Sequence, residues 1–519
     1  MGEKLQSLPI GIQSFERLHG MGKLYVDKTR CLTRLVEEST RVFLSRPRRF
    51  GKSLTLSTLD AMFRGKVELF KGLAAEGWVA EQAEHPAPVL RLDMSAMDSS
   101  DASQLKQSLE DALNRLAANF EVELTGRTLG GRLQDLIAGL FRSIGPVVVL
   151  VDEYDKPILD KIGDLEAAEA MRMVLRSFYT VVKACDEYLR FVMLTGISKF
   201  TKVGVFSAMN NLSDISMNRQ YGNVVGYTQE ELERDFSGWI DQTAEAMGTT
   251  RAALLERMKD YYDGFCFDGR TQLYNPFSVL RFFSEARFAN YWYASASPTF
   301  IVEYMKRHAV QDPAEYEHLE VAPDFAESQE IERARPESFL YQAGYLTIER
   351  LEERALILDY PNQEVRDALG RMYLQYVYDI PEYTPLGSKL WRALRAGDLA
   401  EAVRLYNTAL AGLPYEDFKD PSESFYRSLF LMLLRGAGMT AQGEVHTHRG
   451  RSDVLVLFPD RVVVLEFKLA RSAGEVARLR GEGEKQIEEK GYAKPYDAEG
   501  RAVTARVIVV DAEKHEAVL

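Results

Sequence analysis

The hydrophobic and polar positions change their period several times along this chain. From about residue 42 to 226, short apolar runs alternate with stretches of helical period. Val42–Ser45 reads as a buried strand and Ser53–Phe63 as the helix after it. Pro88–Asp93 reads as a second strand, and Leu105–Phe120 and Leu133–Phe141 repeat apolar residues at helical spacing. Val147–Val151 is continuously apolar and valine-rich, the pattern of a strand covered on both faces. Ala167–Asp186 is helical and Phe191–Thr195 is a further strand. Such alternation predicts a parallel sheet with helices on both sides.

From about 227 to 440 the pattern is mostly helical. Asn275-Pro276 marks a helix start, with Asn as the cap and Pro in the first turn. One β-rich piece interrupts: Gly344–Ile348, then Ala355–Leu358. Two strands after a helix are compatible with a winged helix. Beyond about 440 the order becomes strand, strand, helix, strand. Chain breaks are expected near 380–388 and 412–422. No repeat or low-complexity segment is visible.

Composition bounds the class. At 519 residues the chain is too long for one core, and two to four domains are expected. Hydrophobic (46%) and charged (27%) contents are ordinary for a globular protein. The net charge of −13 argues against a wholly basic surface, though not against a local basic groove. The three cysteines, Cys31, Cys185 and Cys266, form no C-x-x-C pair, so zinc and a disulfide framework are not expected. The longest apolar run is far too short to span a bilayer, and MGEKLQSLPI has neither a signal-peptide core nor a myristoylation Ser/Thr. A cytoplasmic location is expected.

"FLSRPRRFGKSLTLS", residues 43–57, ends like a phosphate-binding loop. A P-loop reads G-x-x-x-x-G-K-[ST], but Arg46 stands where the first glycine belongs. The chemistry needs a strand, inward-facing backbone N–H groups and a helix N-terminus. Gly51 would let the backbone approach the phosphates, Lys52 would reach the β- and γ-phosphates, and Ser53 would hold Mg²⁺. Alone, G-K-S is weak, and a basic solvated turn would explain it. A second signal lies about 100 residues on: "VVVLVDEYDKP" is an apolar strand ending in Asp152 and Glu153. Asp152 would face the Mg²⁺ shell and Glu153 would polarise the attacking water, with Thr195 placed to read the γ-phosphate. The bland alternative is a strand with an acidic end; the joint occurrence favours the functional reading. Arg46, Arg48 and Arg49 would put three cations beside the phosphates, or else are solvated or paired with acids.

These stretches, with "LPIGIQSFERL", "LYVDKT", "FVMLTGISKFTKVGVFSAMNNLSDIS", "YYDGFCF", "LYNPFSVLRFF" and "YQAGYLTI", resemble the bacterial AAA-ATPase-like family whose members often carry a C-terminal PD-(D/E)XK nuclease-like domain. The match runs from about residue 8 to 369. The resemblance implies that Arg46 belongs to the family pattern. It implies an ATP site of Gly51, Lys52, Ser53, Asp152 and Glu153, and a P-loop core followed by a helical lid and a winged-helix-like piece.

A second constellation lies in "GRSDVLVLFPDRVVVLEFKLARSAGE". It reads as two strands joined at Pro459-Asp460. Glu466 and Lys468 lie two apart, on one face of the second strand, and Asp453 lies early in the first. Two carboxylates can hold Mg²⁺ or Mn²⁺, and the lysine can stabilise charge on a phosphodiester. The spacing D-x12-E-x-K resembles the PD-(D/E)XK nuclease core, with Ser452 in place of the proline. An exposed charged hairpin is a weak alternative, because charges in so apolar a strand need partners. Glu423, at the start of the helix Glu423–Gly436, either completes the metal site or favours the helix dipole. Gln486 and Lys490 share a helix face that could approach the site, and Glu444, on the β segment before the hairpin, is a further candidate. His446 and His448 read as surface histidines. Against nuclease action, residues 471–494 hold six Lys/Arg and five Glu, with no basic stripe.

The expectation is therefore an α/β protein. Residues 1–226 form an AAA-like P-loop ATPase core with a parallel sheet, 227–385 a helical lid with a winged-helix-like segment, and 386–519 an α/β PD-(D/E)XK nuclease-like domain. ATP with Mg²⁺ is expected at the first site and Mg²⁺ or Mn²⁺ at the second. Nucleic acid is the expected partner, DNA favoured over RNA, with no membrane and an oligomer left open. The alternative is a nucleotide-dependent switch or scaffold whose nuclease-like domain binds nucleic acid or protein without cleavage.

Overall fold

The computed structural model describes residues 5–199, 212–292, 301–302, 304–305, 313–327, 334–377, 380, 383–413, 422–447, 450–492 and 501–519. Two compact units emerge: Met1–Tyr304 with Glu320–Asn362, and Met305–Leu319 with Gln363–Leu519.

The first unit is built on a five-stranded sheet: β1 (Arg41–Ser45), β2 (Val89–Asp93), β3 (Val147–Asp152), β4 (Leu189–Gly196) and β5 (Ser213–Asp214). The order is β2-β3-β4-β1-β5, and every pairing is parallel. β4 thus lies between β1 and β3. Leu44 pairs with Thr195, Val151 with Leu194 and Asp93 with Asp152, so the carboxyl ends of the four longer strands share one edge. In open parallel sheets that edge is where ligands bind.

The apolar runs are explained by cover on both faces. Phe43, Val149, Val151 and Leu194 belong to one core with Leu109, Leu136 and Phe178 from helices Ala102–Asn119, Leu129–Ser143 and Leu165–Ala184. Helix Lys52–Phe63 packs against β3 as well. Caps set the helix starts: Asp101 accepts from the Ser103 and Gln104 amides, and Asp164 from that of Ala167.

A second core joins Leu8, Leu24 and Val26 to the helices Gln229–Asp235, Ser237–Ala246, Arg251–Tyr262 and Pro276–Glu285. The Asn275 side chain accepts from the Phe277 and Ser278 amides at 3.0 and 3.2 Å, the cap expected there. Helix Pro336–Ala343 then precedes an antiparallel hairpin, Thr347–Leu351 with Leu356–Asp359. The first strand starts three residues later than its apolar run suggested. Gly344, at φ +89°, ends the helix in the left-handed region, and the chain must turn before it can pair.

The second unit carries helices Gln363–Met372, Tyr383–Ala396, Leu399–Leu410 and Glu423–Gly436, then a mixed sheet. Its strands are β6 (Ala441–Thr447), β7 (Gly450–Leu457), β8 (Arg461–Ala470), β9 (Ala502–Asp511) and β10 (Glu516–Val518), paired in chain order. Only β8 and β9 are parallel, and helix Val476–Lys490 makes their crossover. β6 is the β segment expected around Glu444, ahead of the hairpin, and β10 exceeds the order expected from pattern. β6 is polar, and β10 is three residues long. No helix among the described residues is long and apolar enough to cross a membrane.

Candidate nucleotide and metal sites

The first site forms where β1 gives way to helix Lys52–Phe63. Gly51 caps this helix at φ +98°, a conformation open to glycine, and no side chain caps it. The first-turn amides therefore lack a side-chain partner and suit an anion. The Lys52 ammonium is 2.8 Å from the Arg46 carbonyl and 2.9 Å from that of Pro47, so the loop curls around it. Burial pulls its pKa down, against the pull of Glu153, Asp152 and Asp155. A cavity of about 690 Å³ opens over Arg48, Arg49, Gly51, Lys52, Ser53 and Glu153. It continues between Ile12, Tyr25 and Val26 on one side and Tyr227, Phe277 and Leu280 on the other. The volume and the mixed polar and apolar lining suit a nucleotide-sized ligand.

Behind the cavity the strand ends are tied together. The Thr195 hydroxyl donates to Asp152 Oδ1 at 2.7 Å. Glu153 takes φ +50°, strained for this residue, and reaches the cavity. Burial pushes its carboxyl above the ordinary value, with Lys52 opposing. Asp155 Oδ2 accepts from the Ile197 amide (3.0 Å), the Ser198 amide (2.6 Å) and the Ser198 hydroxyl (2.8 Å). Sequence reasoning missed Asp155 and Ser198. The second aspartate of "DEYDKP" was the available signal.

Arg46 needs correction. It was expected beside the phosphates, yet it is 1% exposed and does not line the cavity. Its guanidinium donates to the carbonyls of Ser45 (2.9 Å) and Ser216 (2.6 Å) and lies 4.5 Å from the Phe267 ring centre. Arginine is too long to sit in the tight turn that glycine makes, so it packs behind the loop. Arg49, at φ +68°, lies 5.0 Å from the Phe277 ring, and Arg48 lines the cavity.

The second site lies on the β7–β8 hairpin. The ladder pairs Val454 with Leu465, and Asp453 comes one step further. Its Oδ2 accepts the Phe467 amide at 2.7 Å, and Arg427 Nη1 is 3.5 Å from its Oδ1. Glu466 is 2% exposed. Its Oε1 accepts from Lys468 Nζ at 2.8 Å, and its Oε2 is buried without a partner. Burial, then the charge of Asp453, push the Glu466 carboxyl up to about 7. For Lys468 burial pulls downward, but the bond to Glu466 and the surrounding acids win, and its pKa rises.

Helix Glu423–Gly436 supplies the rest. Glu423 Oε2 accepts the Leu469 amide at 3.2 Å, and its carboxyl is raised by burial and by Asp453 against the pull of Lys468. It therefore stands with the hairpin acids while also opening its helix. Arg427, one turn on, was missed in sequence because a lone helical arginine carries no motif. Gln486 donates to the Tyr492 hydroxyl at 3.1 Å, and Tyr492 feels the charges of Glu466 and Asp453. Lys490 is exposed. His448 and the side chains of Glu444 and His446 lie outside the described residues.

The charges of Asp453 and Glu423 reach the Glu466 carboxyl, one oxygen of which is buried without a partner; oxygen donors of this kind are the type that hard divalent cations take. A strand-ordered P-loop sheet and an acid-rich hairpin on a mixed sheet define a nucleotide-binding α/β protein with a nuclease-like domain. The known families agree. Residues 9–206 match the family described as "Predicted AAA-ATPase", and residues 421–518 match the PD-(D/E)XK nuclease superfamily. A protein of Azotobacter chroococcum mcd 1, described as an uncharacterized protein in the vnfD 5′ region, is 34% identical over 509 residues. That match covers 96% of this chain and 95% of the relative. The chain belongs to this family of predicted AAA-ATPases with a C-terminal PD-(D/E)XK nuclease superfamily domain. Among solved structures, the Aeropyrum pernix ORC1 protein in complex with DNA aligns at 12% identity and a TM-score of 0.24, over 67% of this chain and 93% of its own.

Proposed function

We propose that the chain binds and hydrolyses ATP and, through its C-terminal domain, cleaves phosphodiester bonds with a divalent metal. The observation that carries the reading is the gathering of Glu423, Asp453, Glu466 and Lys468, with the free Glu466 Oε2 among them. Asp453, Glu466 and Glu423 would hold Mg²⁺ or Mn²⁺. The bound ion would supply Lewis-acid polarisation and a more acidic water. Lys468 donates to the oxygen on which charge builds, and the Phe467 amide keeps Asp453 turned into the site.

At the first site, Lys52 and the amides of the helix N-terminus hold the phosphates of ATP. Arg48 and Arg49 add charge from the cavity wall. Ser53 and Asp152 would hold Mg²⁺, Thr195 keeps Asp152 oriented, and Glu153 accepts a proton from the attacking water. The proposed division of labour is ATPase core in 1–226, lid in 227–385 and cleaving domain in 386–519. The substrate is nucleic acid, DNA in preference to RNA. Three free cysteines support a cytoplasmic setting.

One observation favours a second reading, a nucleotide-driven switch whose nuclease-like domain only recognises its partner. Arg478 on helix Val476–Lys490 is paired with Glu475 and Glu482, so its charge is already answered. The deciding experiment is cleavage of labelled DNA and RNA with Mg²⁺ or Mn²⁺, with and without ATP, beside Asp453→Ala and Lys52→Ala. Cutting lost in Asp453→Ala and altered by ATP or in Lys52→Ala supports the ATP-coupled nuclease. ATP turnover with no cutting under any condition transfers the case to the switch.

A further inference from the structure

Within residues 152–155 only Glu153 has a left-handed backbone, and its neighbours on both sides are tied to β4. Before it, Asp152 Oδ1 accepts the Thr195 hydroxyl at 2.7 Å. After it, the Tyr154 amide donates to the Thr195 carbonyl at 2.9 Å, and the Tyr154 hydroxyl to the Ser198 carbonyl at 2.8 Å. Asp155 Oδ2 then gathers the Ile197 amide, the Ser198 amide and the Ser198 hydroxyl. Gly196 permits this approach: a Cβ there would stand 2.6 Å from the Tyr154 ring and 2.7 Å from Asp155 Oδ1.

Glu153, at φ +50°, is half-buried against the nucleotide cavity. A residue with a side chain is strained in that region and keeps it only where its surroundings impose it. Relaxation to an ordinary φ would re-aim the carboxylate. Asp155 is 1% exposed, and a buried carboxylate is costly unless donors answer it. It precedes the short helix Lys156–Leu159, where an Asp would ordinarily cap the first amides, yet its side chain makes no capping bond. Its acceptor capacity is turned to the end of β4 instead.

We propose that Asp155, with Ser198 as its partner, is a positioning residue: it clasps the end of β3 to the end of β4 and so holds Glu153 in the strained backbone that aims its carboxylate into the cavity. Asp155 does not itself line the cavity, so it acts through Glu153. The inference rests on the reading that Glu153 accepts a proton from the attacking water.

Two measurements on the full chain test it. The first sets ATP turnover beside equilibrium binding of a fluorescent ATP analogue. Asp155→Asn and Ser198→Ala are expected to lower kcat, by up to about 100-fold for a displacement of about 1 Å, with analogue affinity unchanged. In a Glu153→Gln background neither should lower the residual turnover further. Full turnover in both variants, analogue binding weakened in step with turnover, or the same loss with and without Glu153 overturns the proposal. The second compares thermal midpoints of Glu153→Gly and Glu153→Ala, which lose the same carboxylate and differ in their tolerance of positive φ. Glu153→Gly is expected to melt above Glu153→Ala, and the gap to close or reverse when Asp155→Asn is added. Glu153→Ala melting above Glu153→Gly, or a gap that Asp155→Asn leaves unchanged, overturns the clasp. This second measurement needs no turnover. A wild type that hydrolyses no ATP refutes the hydrolysis reading alone, and the midpoints still decide the clasp.

Discussion

The two sites each contain one lysine, buried in the first and half-buried in the second, and the lysines are treated oppositely. Lys52 is held by neutral backbone carbonyls, and burial pulls its pKa down. Lys468 is held by a carboxylate, and the acids around it push its pKa up. Near a helix N-terminus with no side-chain cap, the nucleotide site is short of negative charge. With three carboxylates against Lys468 and Arg427, the hairpin site is short of positive charge. On the proposed reading, the first suits a polyanion and the second a cation.

This contrast can be broken, and the largest effect should come from Lys468→Ala. Metal-dependent cleavage should fall by on the order of 10²–10³-fold in kcat, the typical loss when one charge-stabilising donor is removed. Metal binding measured by calorimetry should survive. Cleavage that persists at the wild-type rate would remove Lys468 from the chemistry. Next comes Lys52→Ala. Equilibrium titration with a fluorescent ATP analogue should show affinity weakened by about 100-fold, from deleting a charge-assisted contact in a buried site. Unchanged affinity would mean that the cavity holds something other than a phosphate.

Glu423→Ala sharpens the second half of the comparison. If Glu423 completes the cation site, Mn²⁺ affinity followed by electron paramagnetic resonance should drop by about tenfold. A loss of thermal stability with intact Mn²⁺ binding would leave it as a helix-start acid alone. The smallest effect is a pH profile. The Glu466 carboxyl is raised from 4.5 to about 7 in the fold. Between those values the folded, metal-free protein keeps a proton that the unfolded chain releases. Its contribution to stability is therefore complete below pH 4.5 and lost as pH rises to about 7. Glu466→Gln cannot lose that proton. In EDTA, the variant's melting temperature should gain on the wild type across that window and then level off. Parallel profiles would contradict the raised value.

Local features were legible where the chemistry sat inside one element. The valine run predicted β3 because a strand covered on both faces has no polar side. Asn275-Pro276 predicted a helix start because cap and first turn are adjacent residues. The D-x12-E-x-K spacing worked because one hairpin carries all three groups. Arg46 was misplaced because sequence order put it beside the phosphates, while side-chain length and the Phe267 face drew it behind the loop. β10 was missed because three residues carry no strand pattern of their own.

By itself the sequence determined most of the strand and helix succession, the G-K-S turn, the acidic end of β3 and the D-x12-E-x-K hairpin. All of these rest on periods and spacings of a few residues. Tertiary structure alone decided that β4 lies between β1 and β3, bringing Thr195 to Asp152. It alone brought Glu423 across to the Leu469 amide, 46 residues away in sequence. Local patterns record which face of an element is buried. Which buried faces meet depends on packing between distant segments, and the charges of both sites are settled by those meetings.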